Sequence, residues 1–296
     1  MTFDVADPVP AAAEKAAGAG PGVAMVVAAM CSVQSGAALA TEMFSRVGPA
    51  GMGFLRLAIA AAILLPLSRP RLRGRSRGDW AVAVGFGAIL GTMNLAFYEA
   101  IQRLPLGLAV TIELLGPLGL AVALSRGARQ LAWAALAVLG VLLLGGRGGH
   151  LDPVGVIFVL VAAACWASYI LLSAETGRRF ARVEGLALAT AVAAAVSAPF
   201  GLTSGGAALW WPSTMAVGLG VALLSSVFSY SLELTALRRL PARVFGVLMS
   251  LSPVAATLAG LVLLGQRLSP LQLVAVLCVI VASAATILGA RAGSSG

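Results

Sequence analysis

The sequence contains ten apolar segments, most of them about 20 residues long, that are almost free of charged side chains. The hydrocarbon core of a bilayer is about 30 Å thick, and an α-helix needs roughly 20 apolar residues to cross it. Inside lipid the backbone polar groups must be satisfied within the segment, so such a run leaves few folds open besides a helix. We predict an all-α integral membrane protein with ten transmembrane helices, at approximately 22–44, 49–67, 80–101, 105–125, 131–146, 154–173, 185–204, 214–236, 242–264 and 270–289.

The composition agrees with a membrane protein rather than a soluble one. Hydrophobic residues make up 60% of the chain and charged residues 10%, whereas soluble domains are about 45–50% apolar and about 25% charged. The 20 Lys and Arg exceed the 11 Asp and Glu, which in a soluble protein would suggest nucleic acid. Here the basic run RPRLRGRSRGD lies between two apolar segments, so it fits a topology signal that also meets anionic lipid. We expect the lipid bilayer as a partner, and no nucleic acid.

The basic residues also predict the orientation of the helices. With the N-terminus inside, 15 Lys and Arg fall in inside loops and 4 fall outside, while Arg56 lies within a span. Cytoplasmic loops are the ones enriched in Lys and Arg. We expect a multi-pass protein with both termini in the cytoplasm. The heavy use of Ala, Gly and Arg suggests a bacterial inner membrane.

Side chains suited to catalysis or metal binding are scarce. The only histidine is His150, and Cys31, Cys165 and Cys278 lie in apolar segments without CxxC spacing. An enzyme would need a nucleophile with its base, or a metal cluster. We therefore expect no metal site, no cofactor and no enzymatic activity.

Two parts of the sequence repeat each other. AIQRLPLGLAVTIELLGP (100–117) aligns without gaps on ALRRLPARVFGVLMSLSP (236–253), and AAMCSVQS (28–35) matches AAACWASY (162–169). The nearly equal offsets imply a duplicated unit of five helices, and the second copy must cross in the opposite sense because five is odd. Inverted repeats are typical of secondary transporters, although duplication also occurs in channels and membrane enzymes. The predicted organisation is a disordered cytoplasmic tail at 1–21, repeats at 22–146 and 154–289, a periplasmic linker at 147–153 and a cytoplasmic tail at 290–296.

One carboxylic acid lies deep inside the fourth apolar segment. Glu113 is expected about 12 Å into the membrane if the helix starts near Pro105. A charge there is costly and is expected to face a water-filled cavity or a partner. Pro117 leaves the carbonyl of Glu113 without its helical donor, and Pro253 repeats the arrangement, so both prolines are predicted helix breaks. A hydrogen bond to a neighbouring helix for packing alone is the alternative role for Glu113.

Further polar side chains fall on single helix faces, as a ligand cavity needs. Arg56 fits either a fixed positive charge for a substrate carboxylate or a side chain that reaches the membrane surface. Glu233 fits either a cavity residue or an ion pair with Arg238 or Arg239. The aromatic candidates also fit roles as anchors at the membrane interface. The candidate substrate-binding residues are Gln34, Arg56, Asn94, Tyr98, Glu113, Trp166, Tyr169, Tyr230 and Glu233.

A site with few charges and several amides and hydroxyls suits a small zwitterion. The ammonium of an amino acid would pair with Glu113, and its carboxylate with Arg56 or Asn94. Burial of a carboxyl group favours its neutral form, so we expect Glu113 to take up a proton when the substrate leaves. Glu113 and Glu233 are therefore candidates for proton coupling in an antiporter.

The sequence resembles the EamA type of the drug/metabolite transporter superfamily, in the branch of bacterial threonine/homoserine exporters. The resemblance lies in QSGAALA (34–40), MNLAFYEAIQRLPLGLAVTIELLGPL (93–118) and YSLELTALRRLPARVFGVLMSLSPVAA (230–256). It implies a ten-helix exporter of small neutral amino acids, driven by the proton gradient through alternating access. It also implies a central cavity built from spans one, three, four, six, eight and nine, lined by Gln34, Asn94, Tyr98, Glu113, Tyr169 and Glu233.

Three positions depart from the pattern of that branch. Ser252 and Gln266 replace glutamates that are common in relatives, and Glu99 is acidic where an apolar residue is expected. If an acid before the second proline matters for coupling, this chain lacks it. Export of another small metabolite or drug remains the alternative, with a channel or facilitator as a further one. The sequence does not indicate the oligomeric state.

Overall fold

The computed structural model describes residues 10–125, 128–144, 151–181, 183–240 and 242–289. Within these ranges every regular element is helical. The expected linker and both expected tails fall partly or wholly outside them. The helices are α1 (Pro10–Thr41), α2 (Phe44–Ser68), α3 (Arg77–Arg103), α4 (Leu106–Glu113), α5 (Leu115–Ser125), α6 (Ala128–Leu144), α7 (Pro153–Arg179), α8 (Glu184–Gly205), α9 (Pro212–Ala222), α10 (Ser229–Arg239), α11 (Ala242–Met249), α12 (Ser252–Leu264) and α13 (Pro270–Gly289), with a 3-10 turn at Gly206–Trp210 and a π-helical turn at Leu223–Phe228.

The predicted all-α membrane fold is confirmed. Seven helical segments of the described chain are long and apolar enough to cross a bilayer. Three shorter apolar helices coincide with the predicted spans five, eight and ten. They are Leu131–Gly140, Pro212–Phe228 and Pro270–Thr286. The number of crossings stays a prediction. The first helix begins at Pro10, so residues 10–21, expected to be a disordered tail, are helical.

Two of the predicted spans are broken in the middle. α4 ends at Glu113 and α5 begins at Leu115, while α11 ends at Met249 and α12 begins at Ser252. An offset of 136 residues maps α4 onto α11, so the two halves share the same interruption. Pro253 lies in the first turn of α12, where a residue without an N–H is well tolerated.

A sharp bend near the start of α2 shapes its contact with α8. Gly48 has φ 70° and is followed by Pro49. Glycine adopts a positive φ without the penalty of a Cβ, and a side chain here would also overlap the Ser204 hydroxyl. That hydroxyl donates to the carbonyl oxygen of Val47 at 3.0 Å. The bend is therefore held by α8, against which α2 packs.

Helices of the two halves interlock rather than forming separate bundles. α2 packs on α8, α3 on α7 and α8, α1 on α10 and α12, and α6 on α13. The start of α4 lies on α12, where Gly107 faces Thr257. The side-chain oxygen of Gln266 accepts a hydrogen bond from the backbone N–H of Leu106 at 2.9 Å and so completes that contact. Fully buried Tyr98 and Met52 belong to the core cluster that fills this end of the molecule.

The close approach of α5 to α7 gives a stability prediction. A Cβ on Gly116 would overlap the backbone carbonyl of Ala163, whereas one on Gly119, in the same helix, would meet nothing within 4 Å. Overpacking at such a contact costs about 1–3 kcal/mol. We expect Gly116→Ala to lower the melting temperature in detergent and Gly119→Ala to leave it unchanged. Equal melting temperatures for both variants would contradict the observed packing.

Candidate functional site

A cavity of about 240 Å³ lies between the two halves of the chain. Pockets for drug-sized ligands are about 300–1,000 Å³, so this volume suits a smaller molecule. Its walls come from the predicted spans one, three, four, six, eight and nine, with Arg56 added from span two. The polar and aromatic lining residues are Gln34, Arg56, Asn94, Phe97, Glu113, Trp166, Tyr169, Ser225, Ser229, Glu233 and Ser252.

Arg56 reaches into the cavity from α2 and contacts both halves. Its Nη1 donates to the Tyr98 hydroxyl at 3.5 Å, and its Nη2 donates to the carbonyl oxygen of Ser225 at 3.4 Å. The guanidinium also lies 5.8 Å from the centre of the Tyr98 ring. Its buried Nε has no hydrogen-bond partner among the described residues. The side chain is thus held at the cavity, with donor capacity left for a ligand, and does not extend to the membrane surface.

Glu113 is the last residue of α4 and faces the same cavity. Within the described residues its carboxyl group has neither a hydrogen bond nor an ion pair within 4.0 Å. The break at Leu114 places this carboxylate at a helix end, between α4 and α5. The positive charge of Arg56 acts on this carboxylate, but with no hydrogen bond to its oxygens among the described residues it is available to a cation or a proton.

The second acid, Glu233, is positioned by the π-helical turn. Ser225, Ser229 and Glu233 line the cavity at intervals of four residues, and the Ser229 hydroxyl donates to Glu233 Oε1 at 3.4 Å. Ser226, which α-helical spacing places on this face, is buried outside the lining. The wider turn places Ser225 rather than Ser226 on the cavity wall, which α-helical periodicity does not predict, whereas Ser229 lies one regular α-helical turn before Glu233. π-helical turns occur frequently at functional sites.

Two amide side chains supply further polar atoms. Gln34 Oε1 is buried and accepts no hydrogen bond from the part of the chain that the structure describes, and Gln34 itself is only 6% exposed. Asn94 donates from Nδ2 to the carbonyl oxygen of Leu90 at 2.8 Å, which leaves its amide oxygen for a ligand. Both residues lie on the cavity wall. An amide oxygen in this position accepts hydrogen bonds from an ammonium or a hydroxyl group.

The aromatic candidates separate into three groups. Trp166 and Tyr169 line the cavity, and the Tyr169 ring lies 5.1 Å from that of Phe86. Tyr98, expected to line the cavity, is fully buried behind Arg56 instead. The side chain of Tyr230 lies outside the described residues.

A second cavity of about 280 Å³ adjoins the first, between α5, α7, α11 and α13. Trp166 and Met249 line both cavities and form the partition between them. Pro117 lines the second cavity, whereas Pro253 is buried away from both. Most of its wall is apolar, with hydroxyl groups from Ser250, Ser283 and Thr286. Within the described part of the chain, no three His, Cys, Asp or Glu side chains converge as a metal site would require.

Comparison with known proteins agrees with this architecture. Residues 153–288 match the EamA-like transporter family. The chain is 40% identical over 272 residues to "Threonine/homoserine exporter RhtA" of Escherichia coli (strain K12), covering 91% of this chain and 92% of the relative. The protein of the same name from Salmonella typhimurium (strain SL1344) is 40% identical over 275 residues, with the same coverage.

A solved structure described as "Crystal structure of protein" has the same fold. It superposes with a TM-score of 0.59 at 24% identity, over 95% of this chain and 99% of that chain. The family and the buried polar cavity both indicate a transporter of small molecules that is embedded in the membrane. The chain belongs to the EamA-like transporters of the drug/metabolite transporter superfamily, in the branch of the threonine/homoserine exporter RhtA.

Proposed function

We propose that this protein exports small neutral amino acids of the threonine/homoserine type across the bacterial inner membrane, in exchange for protons. The observation that carries the proposal is a small cavity between the halves in which one guanidinium, two carboxyl groups and two amides converge. Relatives that are 40% identical over 91% of the chain are named as exporters of these amino acids.

The polar groups of the cavity complement a zwitterion. Arg56 donates one hydrogen bond from Nη1 and one from Nη2 within the protein, and its remaining N–H groups would donate to the substrate carboxylate. Glu113, whose carboxyl group has no hydrogen bond among the described residues, would accept from the ammonium. The hydroxyls of Ser225 and Ser229 lie where a substrate hydroxyl group needs partners. The volume of about 240 Å³ favours a small substituent.

The movements of substrate and proton are coupled because the two compete for Glu113. The carboxylate binds either the substrate ammonium or a proton, because both occupy the same oxygens. Substrate release on the periplasmic side would allow protonation, and deprotonation in the cytoplasm would restore the binding form. Glu233, hydrogen-bonded to Ser229, is the second candidate for this role.

The two repeat-related pairs of helices pack differently, and this difference supports alternating access. α4 packs tightly on α12, whereas the repeat-related pair, α11 and α5, flanks the second cavity. In an inverted repeat the two pairs exchange these arrangements when access changes sides. With both termini in the cytoplasm, the α4–α12 contact would close the periplasmic side.

Counterflow in proteoliposomes tests the proposal. Vesicles loaded with unlabelled threonine or homoserine should take up labelled threonine transiently above equilibrium, and the rate should saturate. A channel gives no such overshoot, so its absence would contradict a carrier for these substrates. A parallel growth test with single amino acids at toxic concentration should show resistance to threonine and homoserine in an expressing strain.

The second cavity favours one alternative substrate class. Its apolar walls, shared with the central cavity through Trp166 and Met249, would accept the apolar part of a larger metabolite or drug. Competition separates the two proposals. If amphipathic amines inhibit counterflow more strongly than homoserine does, the alternative gains support and the amino-acid proposal fails.

A further inference from the structure

An apolar groove of about 660 Å³ lies on the surface where α2, α3 and α8 meet the loop between α2 and α3. Leu65 of α2 and Trp80 of α3 form its walls, Ala191 and Val192 of α8 line its floor, and Leu72 of the loop covers one end. Gly87 of α3 lies so close to Val192 that a Cβ would overlap it, so the floor is closed.

Arg69 is the one charged side chain among the described residues that line this groove. It ends α2 in the left-handed conformation, with φ 44°, and its N–H donates to the carbonyl oxygen of Leu65 at 2.9 Å. Glycine is the usual residue at such a helix end, and a non-glycine residue with positive φ carries strain. No other described side chain forms an ion pair or hydrogen bond with its guanidinium.

Two neighbouring arginines, unlike Arg69, form ion pairs within the protein. Arg75 pairs with Glu184 at 2.5 Å, and Arg179 pairs with Glu175 at 2.6 Å. Both line a separate basic pocket on the other side of the loop. Among the described arginines, Arg69 is the one that combines an unpaired cation with this apolar groove, a combination that suits a ligand with a negative head and an apolar chain.

We propose that this groove binds an anionic phospholipid, with the phosphate on Arg69 and one acyl chain between α2, α3 and α8. The groove begins at the ends of two membrane-spanning helices, the depth at which headgroups give way to chains. Trp80, 38% exposed at its edge, is of a type enriched at that boundary. A free phosphate would leave the apolar walls unused.

Native mass spectrometry of the full chain in detergent, with equimolar phosphatidylglycerol and phosphatidylethanolamine, tests this site. Wild type should retain the anionic lipid in preference, and Arg69→Gln should reduce that preference about fivefold, since one arginine contributes about 1 kcal/mol near an anionic lipid surface. Ala191→Trp, which fills the groove, should reduce the retention of both lipids. Arg46→Gln is the matched control, because Arg46 is exposed at the opposite end of α2.

The remaining outcomes would overturn the proposal. Equal retention of the two lipids by wild type would show no anionic site. Equal losses in the Arg69 and Arg46 variants would indicate a general charge effect. Loss of preference only in Arg71→Gln and Arg73→Gln would place the phosphate in the basic pocket instead. Because lipid retention is measured without transport, these results do not depend on the amino acid that is exported.

Discussion

Replacing Glu113 by Gln should abolish proton-driven accumulation of substrate while leaving counterflow detectable. If one proton is exchanged per substrate, a pH gradient of one unit at zero membrane potential supports about tenfold accumulation, because a factor of ten corresponds to about 1.4 kcal/mol. The amide has the shape of the acid but cannot exchange a proton. We therefore expect the accumulation ratio to fall from about ten to about one, measured with labelled threonine in proteoliposomes.

Two further variants show whether the effect belongs to Glu113. Glu99 pairs with Arg103 at 2.6 Å and does not line the cavity, so Glu99→Gln should retain full accumulation. Glu233→Gln tests the second acid in the same assay. Undiminished pH-driven accumulation by Glu113→Gln would refute the coupling role. If only Glu233→Gln loses pH-driven accumulation, Glu233 in the second half of the chain is the coupling residue instead.

Replacing Arg56 by Gln should strongly weaken substrate binding. A hydrogen bond to a charged group contributes about 1.5–3 kcal/mol, so the apparent KM for threonine should rise about tenfold to 150-fold. Arg56→Lys should recover part of the loss, because it keeps the charge but not the paired donors. The measurement is the concentration dependence of counterflow.

An analogue without a carboxylate separates binding from folding. If Arg56 binds the carboxylate, 1-amino-2-propanol should inhibit wild type and Arg56→Gln equally weakly. If Arg56 only supports the structure, the variant should bind threonine and this amino alcohol worse by the same factor. Arg103→Gln serves as the control, because Arg103 pairs with Glu99 and covers the Phe158 ring away from the cavity.

The position of the cavity follows from the cost of burying polar groups. Glu113, Arg56 and Asn94 each interrupt a long apolar segment, and lipid is a poor environment for all three. The sequence therefore predicts that Glu113 and Asn94 face a cavity and leaves Arg56 between that cavity and the membrane surface, and the structure brings all three to a single cavity. The apolar segments themselves predict the helices, because length and composition decide whether a segment can span a bilayer.

The depth at which a side chain lies along a helix, and local changes of helix type, are harder to predict from the sequence. Asn94 and Tyr98 share a face of α3, yet Tyr98 lies one turn farther along, where side chains are fully packed. Periodicity gives the face of a helix but not the point at which a cavity ends. The break after Glu113, by contrast, falls where Pro117 removes the N–H that would bond to the Glu113 carbonyl, so the sequence does predict it.

The π-helical turn at Leu223–Phe228 makes the orientation of α10 adjustable. An α-helix advances about 100° per residue, so moving the single extra residue out of this turn would rotate everything beyond it by roughly that angle. Glu233 would swing off the cavity wall, and the hydrogen bond from Arg56 to the carbonyl oxygen of Ser225, which lies within the turn, would be broken by the same change. One backbone rearrangement would then redirect an acid and release a guanidinium together, without any helix having to tilt.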